Sequence, residues 1–229
     1  MIRCSNRIEM LDFFPSNGVY AELGVFRGTF SERIIENCEP RRIFLVDLWS
    51  DPMDWIINGA IRNVSGEEAY KHVLRLEKYD SVRIRRQTTL SFLCSLPDKT
   101  LDVVYLDADH SYESVRDELA ISLPRMRAGG WISGHDYCDL FPGLVKAVDE
   151  FCNLHMLKID ILTDETPSAV VNFPGGPEKM AYNSFAIRVG HQKKCSICDG
   201  ANWEIAVLLT HVCKTCSEAG NRQVDSDCT

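Results

Sequence analysis

Strand-sized apolar runs alternate with amphipathic helical segments along most of this chain. The clearest strand is Leu101–Leu106, which is nearly all apolar, as is typical of a parallel strand covered on both faces. Val19–Leu23 is a shorter apolar run, and after it Phe30, Ile34 and Cys38 recur at four-residue spacing, which indicates one face of a helix. This alternation predicts an α/β domain with a doubly wound, mostly parallel sheet and right-handed crossovers.

Seven strands are expected in this sheet, and we place them at Val19–Leu23, 43–46, Val82–Arg86, Leu101–Leu106, 131–133, 158–162 and 184–189. Helices are predicted from Thr29 onward and at 65–78, 90–96, 114–126 and 142–151. Thr29 and Ser31 can cap the first helix, and Ser65 begins a capping-box pattern. The glycines at 129–130 predict a turn, and the sequence PGGP at 174–177 predicts a loop.

Length and charge limit what the chain can be. Its 229 residues permit one α/β domain over 1–190, a small module over 191–217 and a polar tail over 218–229 whose composition is typical of disorder. The net charge of −8 argues against a general affinity for nucleic acid or anionic membranes. No apolar run approaches the length that crosses a bilayer, and the first residues lack the apolar stretch of an export signal. We therefore expect a cytoplasmic protein with no nucleic-acid or membrane partner.

The ten cysteines fall into two groups. Four of them follow the pattern C-x₂-C-x₁₄-C-x₂-C, at Cys195, Cys198, Cys213 and Cys216. Two such pairs predict a four-thiolate zinc site of the structural kind, although dithiol redox pairs have the same spacing. His191 or His211 could replace one thiolate. The other six cysteines are scattered, and most are expected to be small apolar core residues or surface thiols.

The first chemical pattern lies between the first strand and the first helix, where Gly24 and Gly28 follow Glu22. Glycines there let the backbone approach a ligand closely, although a tight strand-to-helix turn explains them equally well. Asp47, which ends the second strand roughly 20 residues further on, adds an acceptor for both hydroxyls of a ribose. Together these residues indicate an adenosine-containing cofactor at the carboxyl edge of the sheet. NAD is less favoured, because the pattern is not G-x-G-x-x-G.

Two later strand ends carry the sequences YLDADHSY at 105–112 and GGWISGHDY at 129–137. Here the chain resembles the class I S-adenosylmethionine-dependent methyltransferases, over residues 18–151. Within that class it is similar to the metal-dependent O-methyltransferases that act on sugars of macrolide antibiotics. The resemblance implies a Rossmann-like methyltransferase fold with S-adenosyl-L-methionine as the cofactor.

The resemblance also implies roles for individual residues. The cofactor-binding positions are Glu22, Gly24, Phe26, Gly28, Thr29, Asp47, Thr88 and Asp107. His110 matches the position of the proposed general base, and Asp107 and Asp136 match positions that hold Mg²⁺. His135 stands where those enzymes carry a second carboxylate, and imidazole is a poorer Mg²⁺ ligand than a carboxylate. Mn²⁺, Zn²⁺ or no ion are therefore alternatives at Asp107, His135 and Asp136.

These residue types suit methyl transfer to a hydroxyl. Such an oxygen is a poor nucleophile until a base such as His110 removes its proton or a divalent ion coordinates it. Asp107 and Asp136 end different strands of one sheet, so both are expected in one crevice. Less specific interpretations are that Asp107 caps a turn, that His110 only orients Asp107, and that His135 packs beneath the crevice. Five neighbours are assigned only packing or the lining of a pocket: Tyr112, Tyr137, Trp49, Met53 and Trp55.

The leading hypothesis is an O-methyltransferase whose acceptor is a hydroxyl on a sugar or another small molecule. An N-methyltransferase without a catalytic metal is an alternative, in which His110 orients an amine. A third possibility is a non-catalytic scaffold that binds a partner through the zinc module. Substrate recognition, homo-oligomer formation and stabilisation of the C-terminus all stay open as roles for that module.

Overall fold

The computed structural model describes residues 1–50, 53–57, 60–166, 169–173 and 176–190. These ranges contain twelve strands: β1 Ile2–Cys4, β2 Val19–Leu23, β3 Arg42–Asp47, β4 Met53–Ile57, β5 Ala60–Val64, β6 Val82–Arg86, β7 Leu101–Leu106, β8 Met126–Gly134, β9 Ile161–Thr163, β10 Ala169–Phe173, β11 Gly176–Met180 and β12 Phe185–Arg188. They also contain six α-helices: α1 Arg7–Met10, α2 Thr29–Cys38, α3 Gly66–Leu74, α4 Thr89–Ser95, α5 Tyr112–Arg125 and α6 Pro142–Leu154. None of these helices is long and apolar enough to span a membrane.

Eight strands form one sheet in the order β1-β9-β12-β8-β7-β2-β3-β6. β12 runs antiparallel to both neighbours, and all other pairs are parallel, which confirms the mostly parallel α/β sheet. The expected number of seven strands is wrong, because β1 adds an eighth by pairing Ile2 with Ile161 at one edge. β1 has three residues, two of them exposed, so it carries no apolar pattern that marks a strand.

Most of the predicted elements are confirmed in type and position. β2, β6 and β7 have the predicted bounds, and α6 begins at Pro142. Ser65 caps α3 by accepting a hydrogen bond from the backbone N–H of Glu68 at 3.2 Å. The strand predicted at 158–162 begins later, as β9. The loop predicted at 174–177 is wrong in part, because Gly176 and Pro177 lie in β11, which pairs with β10 as a hairpin.

Two predictions about turns and caps are wrong. Thr29 and Ser31 do not cap α2, because the capping position is Gly28, which is in the left-handed region and offers no side chain. Ser31 is buried instead and donates a hydrogen bond to Glu22. The glycines at 129–130 lie inside β8 and not in a turn before it, at a point where the pairing of β8 with β7 shifts register.

The apolar core lies between the sheet and its helices. Phe30, Ile34 and Cys38, the predicted apolar face of α2, are all buried. The ring of Phe30 packs on Tyr105 of β7, with ring centroids 4.5 Å apart. Of the scattered cysteines, Cys4, Cys38 and Cys152 are buried, as expected for small apolar residues, and Cys94 and Cys138 are partly buried. This packing fixes α2 against the sheet directly behind the carboxyl ends of β2 and β7.

Candidate active site

Five parallel strands end side by side at one edge of the sheet, in the order β6-β3-β2-β7-β8. Ligands of doubly wound sheets bind at this carboxyl edge. Glu22 lies in β2 and Asp47 ends β3. Asp107 follows β7 directly, and Asp136 comes two residues after β8. The acidic residues singled out from the sequence therefore meet along one edge.

Glu22 is a buried carboxyl group with 1% of its surface exposed. It accepts a hydrogen bond from the Ser31 hydroxyl of α2. Burial raises the pKa of Glu22 to about 8 despite that hydrogen bond, and the nearby charge of Asp107 adds to the rise. The carboxyl group therefore carries a proton at neutral pH unless a cation lies beside it.

Gly24 lies where the end of β2 crosses the backbone that follows β7. Its φ is +87°, and a Cβ added there would lie 2.0 Å from the carbonyl oxygen of Asp107. A glycine is therefore required for both the conformation and the space. The backbone N–H of Gly24 donates to the carbonyl of Val46 at 2.9 Å, which ties the loop to β3.

Asp47 holds the loop that begins at Gly24. Its Oδ2 accepts hydrogen bonds from the backbone N–H groups of Val25 and Phe26, each at 2.9 Å. Its Oδ1 accepts one from the backbone N–H of Trp49 at 3.0 Å. Phe26 has a φ of +51°, so this loop is held in a backbone conformation that residues other than glycine rarely adopt.

Thr29 and Thr88 are both exposed at this edge. Thr29 is the first residue of α2, directly after the left-handed Gly28. Thr88 follows β6 and caps α4, where its Oγ1 accepts a hydrogen bond from the backbone N–H of Ser91 at 3.1 Å.

Asp107, His110 and Asp136 form a compact cluster. Nε2 of His110 lies 2.5 Å from Oδ2 of Asp136 and 3.9 Å from Oδ1 of Asp107. One ligand atom from each of the three residues lies within 4.8 Å of the other two, which is close enough to share a metal ion. The His110 ring stacks on Phe141 with centroids 4.5 Å apart. Nε2 of His110 is buried, and its contact with Asp136 lacks the alignment of a hydrogen bond.

The two carboxylates control the charge of this cluster. Burial lowers the pKa of His110, but Asp107 and Asp136 outweigh it and raise that pKa to about 10. The pKa of Asp136 lies below its usual range in spite of burial, because His110 and His135 contact its carboxylate. In the absence of another cation, His110 is therefore protonated at neutral pH.

His135 borders the cluster. Its Nδ1 lies 3.2 Å from Oδ1 of Asp136 and 3.8 Å from Oδ1 of Asp107. Burial lowers its pKa, whereas Asp136 and Asp107 raise it, and the net shift is upward. The sequence assigned His135 to the metal-binding set and His110 to proton transfer. In the structure, the group with metal-binding spacing contains His110.

Three residues near the cluster were not expected from the sequence: Arg7, Phe141 and Tyr182. Nη1 of Arg7 lies 3.4 Å from Oδ2 of Asp107, and the rings of Phe141 and Tyr182 are 6.3 Å apart beside the two histidines. Phe141 lies between the HDY sequence at 135–137 and the helix predicted at Pro142. This position was the sequence signal that could have placed it near the site. Arg7 and Tyr182 lie in no motif, and no signal in the sequence marks them.

A family model described as a methyltransferase domain matches residues 21–137, just over half of the chain. The matched range includes Glu22, Asp47, Asp107, His110 and Asp136. The chain belongs to the methyltransferase domain family. No curated protein matches its sequence.

Solved structures share the fold at low sequence identity. An S-adenosylmethionine-dependent O-methyltransferase from Thermotoga maritima aligns with a TM-score of 0.54 and 12% identity, over 82% of this chain and 64% of that one. Precorrin-6y C5,15-methyltransferase from Geobacter metallireducens aligns with a TM-score of 0.53 and 16% identity, over 79% of this chain and 84% of that one. The N-methyltransferase NodS from Bradyrhizobium japonicum aligns with a TM-score of 0.51 and 14% identity, over 81% of this chain and 93% of that one. This methyltransferase domain therefore has the Rossmann-like class I fold, which serves oxygen, carbon and nitrogen acceptors alike.

Other side chains that the sequence singled out lie apart from the cluster or outside the described residues. The Tyr112 hydroxyl donates to Glu150 at 2.6 Å, and the Tyr137 hydroxyl donates to Asp149 at 2.8 Å. Trp49 is fully buried, and its indole N–H donates to the carbonyl of residue 26 at 2.7 Å, which is a packing role. Met53 and Trp55 lie in β4. The four cysteines of the predicted zinc site lie outside the described residues: Cys195, Cys198, Cys213 and Cys216.

Proposed function

We propose that this methyltransferase uses S-adenosyl-L-methionine to methylate a hydroxyl of a sugar or another small molecule. The observation that carries the proposal is the order of residues along the carboxyl edge. Thr88 follows β6 and Asp47 ends β3. Glu22 and Gly24 lie at β2, and the cluster around Asp107 follows β7 and β8. Adenine, ribose, methionine end and acceptor would follow one another in this same order.

The residues at β2 and β3 fit this cofactor. The Asp47 carboxylate has about four acceptor positions, and three backbone N–H groups use three of them, so about one remains for a ribose hydroxyl. Glu22 is a buried carboxyl group whose ionised form an ammonium would stabilise. Gly24 brings the β2 loop against the backbone of Asp107, which joins the cofactor side to the acceptor side. When bound, S-adenosyl-L-methionine supplies a methyl group on a sulfonium, ready for in-line displacement.

His110 is the general base in this proposal. The stacked ring of Phe141 fixes the orientation of its imidazole, and Asp136 lies 2.5 Å from Nε2. The acceptor hydroxyl would transfer its proton to His110 as the oxygen attacks. Holding both reactants in line supplies much of the remaining acceleration. His110 must be neutral for this role, and the two carboxylates oppose that in the free protein.

A divalent ion at Asp107 and Asp136 is the further part of this proposal. With His135 as the nitrogen ligand, the two carboxylates form a mixed oxygen and nitrogen donor set, which suits Mn²⁺ better than Mg²⁺. The residues fit an ion because a carboxylate oxygen of Asp107 and one of Asp136 lie within 4.8 Å of each other. Nδ1 of His135 lies 3.8 Å and 3.2 Å from these two carboxylates, so His110 stays free to act as the base. The ion's charge would satisfy the carboxylates in place of a proton on His110. It would also lower the pKa of an acceptor hydroxyl.

The first test is isothermal titration of the full-length protein with S-adenosylhomocysteine, with and without Mg²⁺ or Mn²⁺. We expect micromolar affinity for the ligand and a change in affinity or heat when Mn²⁺ is present. Absence of binding by folded protein under all conditions would overturn the cofactor assignment. If neither Mg²⁺ nor Mn²⁺ changes the affinity or the heat of binding, the ion at Asp107 and Asp136 is overturned, and the cofactor assignment stands.

The second test separates His110 from cofactor binding. We expect His110→Ala to retain its affinity for S-adenosylhomocysteine while methyl transfer falls by about 10²- to 10⁴-fold. Transfer is followed from labelled cofactor to a panel of hydroxylated sugars and phenols, with amines beside them. His72→Ala, at an exposed position of α3, is the matched control and should lose nothing. Transfer to amines but not to hydroxyls would replace the O-methyltransferase by the nitrogen alternative.

A further inference from the structure

Arg7 belongs to an N-terminal segment that the sequence does not connect to the active site. The segment is fixed to β9: β1 pairs with it, and Arg3 forms an ion pair with Asp164 at 2.6 Å. The backbone N–H of Arg7 also donates to the Glu165 carboxylate at 3.0 Å. β1 runs parallel to β9, which in turn runs parallel to β8, so Arg7 follows β1 at the carboxyl edge. Its position is therefore set by the fold.

The guanidinium of Arg7 lies among the proposed cofactor residues. Its Nη1 is 3.4 Å from Oδ2 of Asp107, and its Cζ lies 4.4 Å from the centre of the Phe30 ring. Burial lowers the pKa of the Arg7 guanidinium, but nearby Tyr105 and Asp107 raise it above its ordinary value. Phe30 belongs to α2 and packs on Tyr105 of β7, so Arg7 lies between α2 and the end of β7.

These partners leave the guanidinium with spare hydrogen-bonding capacity. It carries five N–H donors, more than the Asp107 and Tyr105 oxygens can use. The 3.4 Å separation is longer than the roughly 2.7–2.9 Å of a charge-assisted hydrogen bond. About 30% of the Arg7 side chain is exposed, so part of it faces the open edge. A planar fork of donors in this position is suited to a carboxylate, which it can bond at two points.

The methionine end of S-adenosylmethionine carries an ammonium and a carboxylate, so it needs an acidic and a basic partner. Glu22 and Asp107 are acidic groups at this point of the edge, and the guanidinium of Arg7 is a basic group 3.4 Å from Asp107. We propose that Arg7 binds the α-carboxylate of the cofactor, which makes the N-terminal segment part of the cofactor site. This inference rests on the proposed function, because it requires that this edge binds S-adenosylmethionine.

Two ligands that differ only in the carboxylate test the inference. S-adenosylhomocysteine carries it, and S-adenosyl-3-thiopropylamine, the decarboxylated analogue, does not. Both are titrated calorimetrically into the full-length wild-type protein. We expect S-adenosylhomocysteine to bind more tightly by about tenfold to a hundredfold, the range for hydrogen bonds to charged groups.

Variants locate that difference at Arg7. Arg7→Ala should lower the affinity for S-adenosylhomocysteine by a similar factor. It should change the affinity for the decarboxylated analogue by less than about twofold. Arg7→Lys keeps the charge without the planar fork and should fall between the two. Arg83→Ala removes an exposed arginine near the amino end of β6, away from the carboxyl edge, and should leave both affinities unchanged. Melting temperatures of all variants are measured alongside.

Each outcome has a distinct meaning. Equal wild-type affinity for the two ligands would overturn the inference without any variant, so it stays testable even if Arg7→Ala misfolds. A loss in Arg7→Ala that is the same for both ligands would also overturn it, since Arg7 would then support the fold of the site. Binding of neither ligand by wild-type protein would instead overturn the proposed function. Loss confined to the ligand with the carboxylate supports the inference.

Discussion

Glu22 links the proposed cofactor site to the stability of the domain. Its pKa is about 8 in the folded chain, compared with a usual value of 4.5. The folded state therefore keeps this proton over a pH range in which the unfolded chain has already lost it. The stability that comes from this difference is fully present below pH 4.5 and is lost as the pH rises through 8. Above that range the buried negative charge weakens the fold.

Replacing Glu22 by glutamine removes this dependence and keeps an acceptor for the Ser31 hydroxyl. We expect the free energy of unfolding of Glu22→Gln to exceed that of wild type by at least about 1 kcal/mol at pH 9. The difference should shrink steadily toward pH 5. Urea unfolding from pH 5 to 9 measures it, with Glu77→Gln at an exposed position as the control. A difference that does not vary with pH would contradict the buried, protonated state of Glu22.

The residues of the site differ in how far the sequence could predict them. Asp47, Asp107 and Asp136 were predictable because the carboxyl ends of parallel strands meet at one edge. The placement of the two histidines around these carboxylates was not predictable, since Asp136 is in the left-handed region with a φ of +61°, a turn that spacing does not specify. Arg7 reaches Asp107 across a hundred residues of sequence, and such a contact leaves no local pattern.

Among the elements, the β2–α2 loop depends most on one residue. Gly24 combines a φ of +87° with a Cβ position 2.0 Å from the Asp107 carbonyl oxygen. We expect Gly24→Ala to cost about 2 kcal/mol or more of stability, because the backbone after β7 must move away. Gly190→Ala is the control, since a Cβ there meets no atom of the described residues within 4 Å. Thermal unfolding compares them, and equal melting temperatures would show that the two backbones separate easily.

Periodicity predicts the elements whose burial is decided locally. β7 is almost entirely buried and α2 buries one face, so their apolar spacing was sufficient. β1 differs because an edge strand forms through its pairing with β9, which its own three residues do not encode. The same holds for the hairpin of β10 and β11, whose pairing includes Gly176 and Pro177, residues that usually indicate a loop.

At the scale of the whole molecule, the chain adds its extra elements at the edge that carries the site. The β4–β5 hairpin follows the carboxyl end of β3. β9 ends at this same edge, and the antiparallel β12 begins there. The β10–β11 hairpin lies between these two strands in the chain. Substrate specificity in this kind of fold resides in such connections. The sheet thus carries the proposed cofactor positions, and we expect the insertions to select the acceptor.

The C-terminal cysteines are the last part of the chain that needs a chemical role. Two C-x₂-C pairs separated by 14 residues match a closed four-thiolate zinc site, which stabilises a small module and takes no part in catalysis. We expect one zinc ion per purified chain, measured by elemental analysis, because such a site holds the metal tightly. Cys198→Ser and Cys213→Ser should each abolish most of it, whereas Cys138→Ser, within the methyltransferase domain, should not. Zinc that survives when all four cysteines are replaced by serine would move the metal to the Asp107 cluster, whereas zinc that survives only the single replacements would mean that His191 or His211 replaces a thiolate. Metal-free protein with four reactive thiols would favour the redox alternative, since thiolates bound to zinc react slowly.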